Sequence, residues 1–161
     1  MLEPRKKETV IQIFAPMSGT VVAMAQVDDP IFSQEMLGKG VAIRPTDGRV
    51  TSPVTGTVSQ MFDTGHAVAL TSDDGVEILI HVGLDTVTLK GVHYTAYAKQ
   101  GDKVSIGDIL IECDLDAISA SGFDTITPVA ICNSDDFASF HMPTGNLICA
   151  GDEMMRLTKA T

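Results

Sequence analysis

Ala15-Pro16-Met17-Ser18-Gly19-Thr20-Val21 recurs as Ser52-Pro53-Val54-Thr55-Gly56-Thr57-Val58, offset by 37 residues. A weaker pair follows: Gly101 with Gly107-Asp108 recurs as Gly145 with Gly151-Asp152, offset by 44. Repeats of this period can mark a solenoid. Only two copies of each unit are present, which favours a duplicated supersecondary unit inside one globule. Each copy of the first unit leads into a Val- and Thr-rich run, and similar runs fill the chain. Candidate strands are Thr9–Phe14, Gly19–Met24, Val41–Pro45, Gly48–Ser52, Gly56–Met61, Ala67–Thr71, Val76–Val82, Ala96–Lys99, Ile109–Cys113, Pro128–Cys132 and Met154–Thr158. They are rich in β-branched residues and punctuated by Gly, Pro and Asp-Gly. Thr46-Asp47-Gly48-Arg49 and Asp73-Asp74-Gly75 read as tight hairpin turns. Helical stretches are scarce, with short helices expected at Pro30–Leu37 and Leu115–Ser121. The expectation is an all-β protein, an antiparallel β-sandwich or barrel with one or two short helices.

A chain of 161 residues reads as one domain. Residues 1–10 read as a flexible, solvated tail and residues 11–161 as the single domain. Aromatic residues are 5% of the chain and Trp is absent, so the core is expected to be aliphatic. A net charge of -10 argues against nucleic-acid binding, which requires a basic patch. It also suits steering of a basic protein partner, although plain solubility explains it equally well. Cys113, Cys132 and Cys149 are odd in number and show no CxxC spacing, which argues for a reducing compartment. Their apolar neighbours predict buried, inert thiols. No apolar run reaches ~18 residues, so no membrane insertion is expected. The N-terminus lacks the apolar stretch of a signal peptide. A cytoplasmic location is expected.

The chemistry concentrates in Gly75-Val76-Glu77-Ile78-Leu79-Ile80-His81-Val82-Gly83-Leu84-Asp85-Thr86-Val87. Val76, Ile78, Ile80 and Val82 share one face at period 2, so His81 lies on the opposite face with Glu77 and Leu79. Gly83 follows, where the strand stops or another group comes close. Upstream, Thr64-Gly65-His66 supplies a second histidine and a threonine. Such a set points to handling of a proton, a metal or a phosphoryl group. Either histidine alone would more often be a hydrogen-bonded, partly buried residue.

These residues carry a family resemblance. Gly75 to Gly91, GVEILIHVGLDTVTLKG, closely resembles the signature of the glucose-type EIIA domain of the bacterial sugar phosphotransferase system. Phe62, Thr64 and His66, the block Ala15–Gly19, and Thr127-Pro128-Val129 match collinearly, and the resemblance runs from about Ile13 to about Leu157. It implies the duplicated-hybrid-motif sandwich and a role as a phosphoryl relay. By this resemblance His81 carries the phosphate on its outer nitrogen, and a backbone carbonyl near Gly83 holds the inner one. His66 donates to the phosphoryl oxygens, and Thr64 orients the pair. The implied donor is HPr and the implied acceptor is the EIIB domain of a permease of the glucose, glucoside or N-acetylglucosamine class. No cofactor is implied. The matching docking positions are Ile31, Phe32, Met36, Leu37, Phe62, Leu79 and Val87, flanked by Asp29 and Asp85. Met36 and Leu79 read more naturally as core, and the two aspartates as turn or cap residues. A regulatory role, reporting sugar status by binding permeases or kinases, is the alternative within the same family.

No Lys or Arg lies within Gly75–Val87, which suits a relay because strong cations would trap the phosphate. No P-loop or GxGxxG is present, so an ATP site is not expected. The chain departs from the family pattern at Asp28-Asp29-Pro30, at Lys39, and at Gly91-Val92-His93-Tyr94. His93 and His141 match nothing functional and read as surface residues. Two other readings compete. A zinc hydrolase of similar architecture needs an HxH and an HxxxD, and neither appears. Gly101-Asp102-Lys103-Val104 and Gly107-Asp108 resemble a turn of biotinyl or lipoyl carriers, but no Met-Lys-Met hairpin tip is present.

Overall fold

Alternating β-branched and small residues pair into antiparallel ladders over most of the chain. In this computed structural model, which describes residues 8–160, the strands begin with β1 (Glu8–Phe14), β2 (Gly19–Ala23), β3 (Lys39–Pro45), β4 (Arg49–Thr51), β5 (Gly56–Met61), β6 (Ala67–Ser72) and β7 (Glu77–His81). They continue with β8 (Tyr94–Ala96), β9 (Lys103–Val104), β10 (Ile109–Cys113), β11 (Thr127–Ile131), β12 (Ser139–His141), β13 (Leu147–Ile148) and β14 (Glu153–Ala160). Two short helices, α1 (Pro30–Ser33) and α2 (Leu115–Ala120), interrupt them. The main sheet has the order β13-β2-β3-β11-β7-β6-β5-β9, and two smaller sheets, β1-β14-β12 and β4-β10-β8, complete the sandwich. The fold is thus the antiparallel β-sandwich read from the strand pattern.

The main sheet is a palindrome. β13, β2, β3 and β11 on one side answer β9, β5, β6 and β7 on the other, and the repeated sequence units supply the matching bonds. Phe14 N–H donates to the Pro53 carbonyl at 3.0 Å, and Thr51 N–H donates to the Pro16 carbonyl at 2.8 Å. Ala15 N–H donates to the Asp152 carbonyl at 2.7 Å, and Ser52 N–H to the Asp108 carbonyl at 2.8 Å. The Asp152 and Asp108 carboxylates accept from Cys149 and Ser105 N–H in the same way. Gly19 and Gly56 are equivalent as well. A Cβ on either would lie 2.1 Å from a carbonyl oxygen, of Arg44 or Thr71, so both copies need glycine for strand approach. The duplication is therefore written as reciprocal hydrogen bonds, with the central pair Val129 and Ile80 at its axis.

Two clusters of buried side chains lie on opposite faces of this sheet. Ile78, Ile80, Val129, Ile131, Val41 and Ile43 point into the larger one with Leu110, Ile111 and Met155. Each such side chain contributes roughly 1.5–3 kcal/mol on burial. The smaller cluster joins Val22, Met24, Val27, Phe32, Ala42, Leu84, Ile126 and Ala130, with Leu79 packed against it. It holds the segment containing α1 against the outer face of the sheet. Asp29 caps α1 by accepting from Ile31 N–H at 3.0 Å, and Pro30 stands at the first helical position.

Several sequence expectations need correction. Thr46–Arg49 is not a hairpin turn, because β3 and β4 belong to different sheets. Asp47 accepts from Arg49 N–H at 2.9 Å, and this turn redirects the chain toward β10. Asp73–Gly75 does join the paired strands β6 and β7. α1 stops at Ser33 rather than reaching Leu37. The expected strand at Ala96–Lys99 is found two residues earlier, because pairing with β10 places it at Tyr94–Ala96. β9, β12 and β13 were not foreseen. The cysteines are not uniformly buried: Cys132 and Cys149 are exposed and Cys113 is half-buried. The first two stand just past strand ends, where their apolar neighbours alone reach the core. Burial pushes the Cys113 thiol up to about 12. Of the expected tail, residues 1–7 lie outside the described residues, while Glu8, Thr9 and Val10 pair with Ala160, Lys159 and Thr158.

Candidate active site

β7 ends at His81 because Gly83 follows with φ +88°. A Cβ there would lie 2.6 Å from the Thr86 methyl, so this turn accepts only glycine without rearrangement. The turn brings the Gly83 carbonyl back onto the ring of His81, whose Nδ1 lies 2.7 Å from it. A carbonyl oxygen can only accept, so Nδ1 carries the proton. In the neutral ring Nε2 is then bare and available as a nucleophile.

His66 reaches the same place from the turn just before β6, rather than from a strand. Ala67 pairs with His81 across the ladder, and Val82 N–H donates to the His66 carbonyl at 2.7 Å. The two imidazoles stand edge to face with centroids 5.0 Å apart. The Thr64 hydroxyl hydrogen-bonds His66 Nδ1. Phe62 packs edge-on to His66 at 5.5 Å, and Phe32 lies 5.3 Å from the His81 ring. The structure therefore brings together all three residues read from the sequence, His81, His66 and Thr64.

Electrostatics keep both rings neutral near pH 7. Burial, with a smaller contribution from His81, lowers His66 from the usual 6.5 to about 4. Burial also lowers His81, against the Gly83 hydrogen bond and the nearby Asp29 and Asp85 carboxylates, which favour its charged form. A pH dependence of stability follows. Between pH 6.5 and about 4 the unfolded chain binds protons that the folded chain refuses, so stability is full above 6.5 and falls as pH drops through that window. Thermal midpoints measured across it should decline with acidification, and His66→Gln should flatten the decline. Parallel curves for the two proteins would show that His66 does not carry the effect.

The residues expected to dock a partner divide. Ile31, Met36, Leu37 and Val87 are exposed apolar side chains, so Met36 is not core. Phe62 and Leu79 are half-buried. Phe32 is only 5% exposed and belongs to the smaller core cluster, so it underlies the surface rather than forming it. Asp85 is exposed and left-handed in backbone, and Asp29 serves as the α1 cap. His141 is exposed and His93 partly so. Two groups escaped sequence reading: Thr86, fully buried, and Tyr94. Both hydroxyls donate to the Val82 carbonyl at 2.8 Å. Thr86 lies inside the quoted signature, but nothing in residue spacing shows a phenol twelve positions on reaching back to it.

A cleft of about 720 Å³ opens elsewhere, beside Thr46, Tyr97, Glu112 and Asp116, and it contains neither His81 nor His66. Of the paired histidines, His66 is buried and His81 is partly exposed. Among the described residues no group of three or more His, Cys, Asp or Glu is placed to hold a metal ion.

The site is thus a pair of neutral histidines meeting at one end of the central strands of a β-sandwich of duplicated halves. The family described as phosphoenolpyruvate-dependent sugar phosphotransferase system, EIIA 1, matches residues 11–137. The chain is 44% identical over 87% of its length to the glucose-specific EIIA component of Halalkalibacterium halodurans, covering 81% of that protein. It is 51% identical over 78% of its length to the beta-glucoside-specific EIIBCA component of Bacillus subtilis, of which it spans only 21%. The glucose permease IIA of Mycoplasma capricolum superposes with a TM-score of 0.86 at 31% identity, covering 92% of this chain and 96% of that one. The chain belongs to the glucose-type EIIA family of the sugar phosphotransferase system. No helix among the described residues is long and apolar enough to cross a membrane.

Proposed function

We propose that the chain is a phosphoryl relay in which Nε2 of His81 takes the phosphoryl group from phospho-HPr and passes it to the EIIB component of a sugar permease. The observation that carries this reading is the Nδ1–H of His81 held by the Gly83 carbonyl beside a second neutral imidazole. As the N–P bond on the donor histidine breaks, a new N–P bond forms at Nε2, and Nδ1 keeps its proton. That hydrogen bond strengthens as positive charge grows on the ring. With the Thr64 hydroxyl donating to Nδ1 of His66, the His66 proton sits on Nε2 and can bond the phosphoryl oxygens in transit. The relatives that join EIIA to EIIB and EIIC in one chain support an EIIB-type acceptor. Their printed names point to glucose or beta-glucosides as the sugars. Ile31, Met36, Leu37 and Val87 would form the apolar contact, with Asp85 at its rim to speed encounter with a basic partner.

Incubation with enzyme I, HPr and phosphoenolpyruvate tests this. One acid-labile phosphate per chain is expected, and none would overturn the reading. The second histidine separates acceptance from transfer. His66→Gln should still accept phosphate but deliver it to EIIB about a hundredfold more slowly, a loss of roughly 3 kcal/mol of transition-state stabilisation. Delivery at the wild-type rate would remove His66 from the mechanism.

A further inference from the structure

We infer that Tyr94 is a positioning residue for His81, because its hydroxyl, together with that of Thr86, fixes the Val82–Gly83 peptide and through it the next carbonyl, that of Gly83, which holds the histidine. This rests on the relay reading above. Four hydrogen bonds define the place of this peptide and of the Val82 amide before it. Val82 N–H donates to the His66 carbonyl at 2.7 Å, and Gly83 N–H donates to the Ile126 carbonyl at 3.2 Å. The Val82 carbonyl accepts from Thr86 Oγ1 and from Tyr94 Oη, both at 2.8 Å, which fills its two lone pairs. Rotation of this peptide would swing the next carbonyl, that of Gly83, which lies 2.7 Å from His81 Nδ1.

Tyr94 is well placed for this work. It opens β8 and pairs with Cys113 of β10, so the smaller sheet fixes its backbone. Its Cβ lies against the turn that carries Thr64 and His66, where a Cβ on Gly65 would come within 3.4 Å of it. One residue thus sits beside the turn bearing one histidine and bonds the turn following the other. Burial holds its hydroxyl up at about 12, so it remains a donor at any working pH. Tyr94 bonds the Val82 carbonyl rather than an imidazole nitrogen, and it acts through the peptide.

Tyr94→Phe removes one oxygen and keeps the ring's packing. Its effect is read in two ways. The first is the ¹⁵N NMR tautomer of His81, which needs no phosphate. The wild type should show a protonated Nδ1 and a bare Nε2, and Tyr94→Phe should move both resonances toward an averaged position. The second is single-turnover transfer from phospho-HPr. It should slow roughly tenfold, the scale of a small misplacement at a reacting group, with the half-saturating HPr concentration unchanged. Thr86→Val, which removes the other donor at equal size, should shift the tautomer in the same direction. Tyr94→Phe transferring at the wild-type rate with its tautomer unchanged, whatever its melting temperature, would overturn the role of Tyr94 alone. A wild-type protein that takes no phosphate would overturn the relay reading beneath it.

Discussion

His81→Ala should take up no phosphate from phosphoenolpyruvate, enzyme I and HPr, while the folded protein remains intact. The ring is half-exposed at the end of β7, and the strand's buried face is made by Ile78 and Ile80 instead. Removing the imidazole deletes the bare Nε2 that the Gly83 hydrogen bond prepares. His66 cannot substitute as an acceptor, because it is 4% exposed and its Nδ1 is engaged by Thr64. Phosphate labelling, together with a thermal scan of the same sample, checks both halves of the expectation. Equal labelling of wild type and variant would move the acceptor elsewhere in the chain.

The second large effect is expected at Phe32, and it falls on stability. The side chain is buried on the inner side of α1 with Val22, Met24, Val27, Leu84 and Ile126, and it lies beside the His81 ring. Phe32→Ala should cost about 3 kcal/mol, the low end for a buried phenylalanine, because this cluster is small and near the surface. It should also let water reach His81. Since burial is the largest cause that lowers His81, its titration should move back up toward the ordinary histidine value. Chemical denaturation and an NMR pH titration measure the two effects. An unchanged midpoint, with faster dissociation from HPr instead, would make Phe32 a docking anchor rather than core.

That contrast shows where sequence reading stops. Period-2 alternation in β7 assigned its two faces correctly, because one face must fill the core and a slip by one residue would reverse them all. β5 and β10 were bounded to the residue, since Gly, Pro and Asp mark both ends. The repeated units read as a duplication, and the reciprocal bonds of Phe14 and Thr51 are its physical form. The two-residue strands β9 and β13 carry no periodicity at all, and pairing with β5 and β2 alone defines them. Phe32 and Met36 were misjudged in opposite directions for a related reason. Both are large and apolar in one short segment, and only the placement of α1 and of the chain after it decides which turns inward. Tyr94 escaped because its partner is a carbonyl, and no side-chain pattern records backbone acceptors.

The pairing of β1 with β14 has a consequence for how the protein is made. Glu8 meets Ala160 and Ile13 meets Met155, so the first strand waits for a partner far along the chain to be synthesised. At roughly 5–20 residues per second on the ribosome, that wait is on the order of ten seconds. During it, Val10, Ile11 and Ile13 leave the exit tunnel as an apolar edge with no neighbour to close it. The nascent chain is therefore most open to chaperones, and to pairing with other nascent chains, until β14 has emerged to pair with β1.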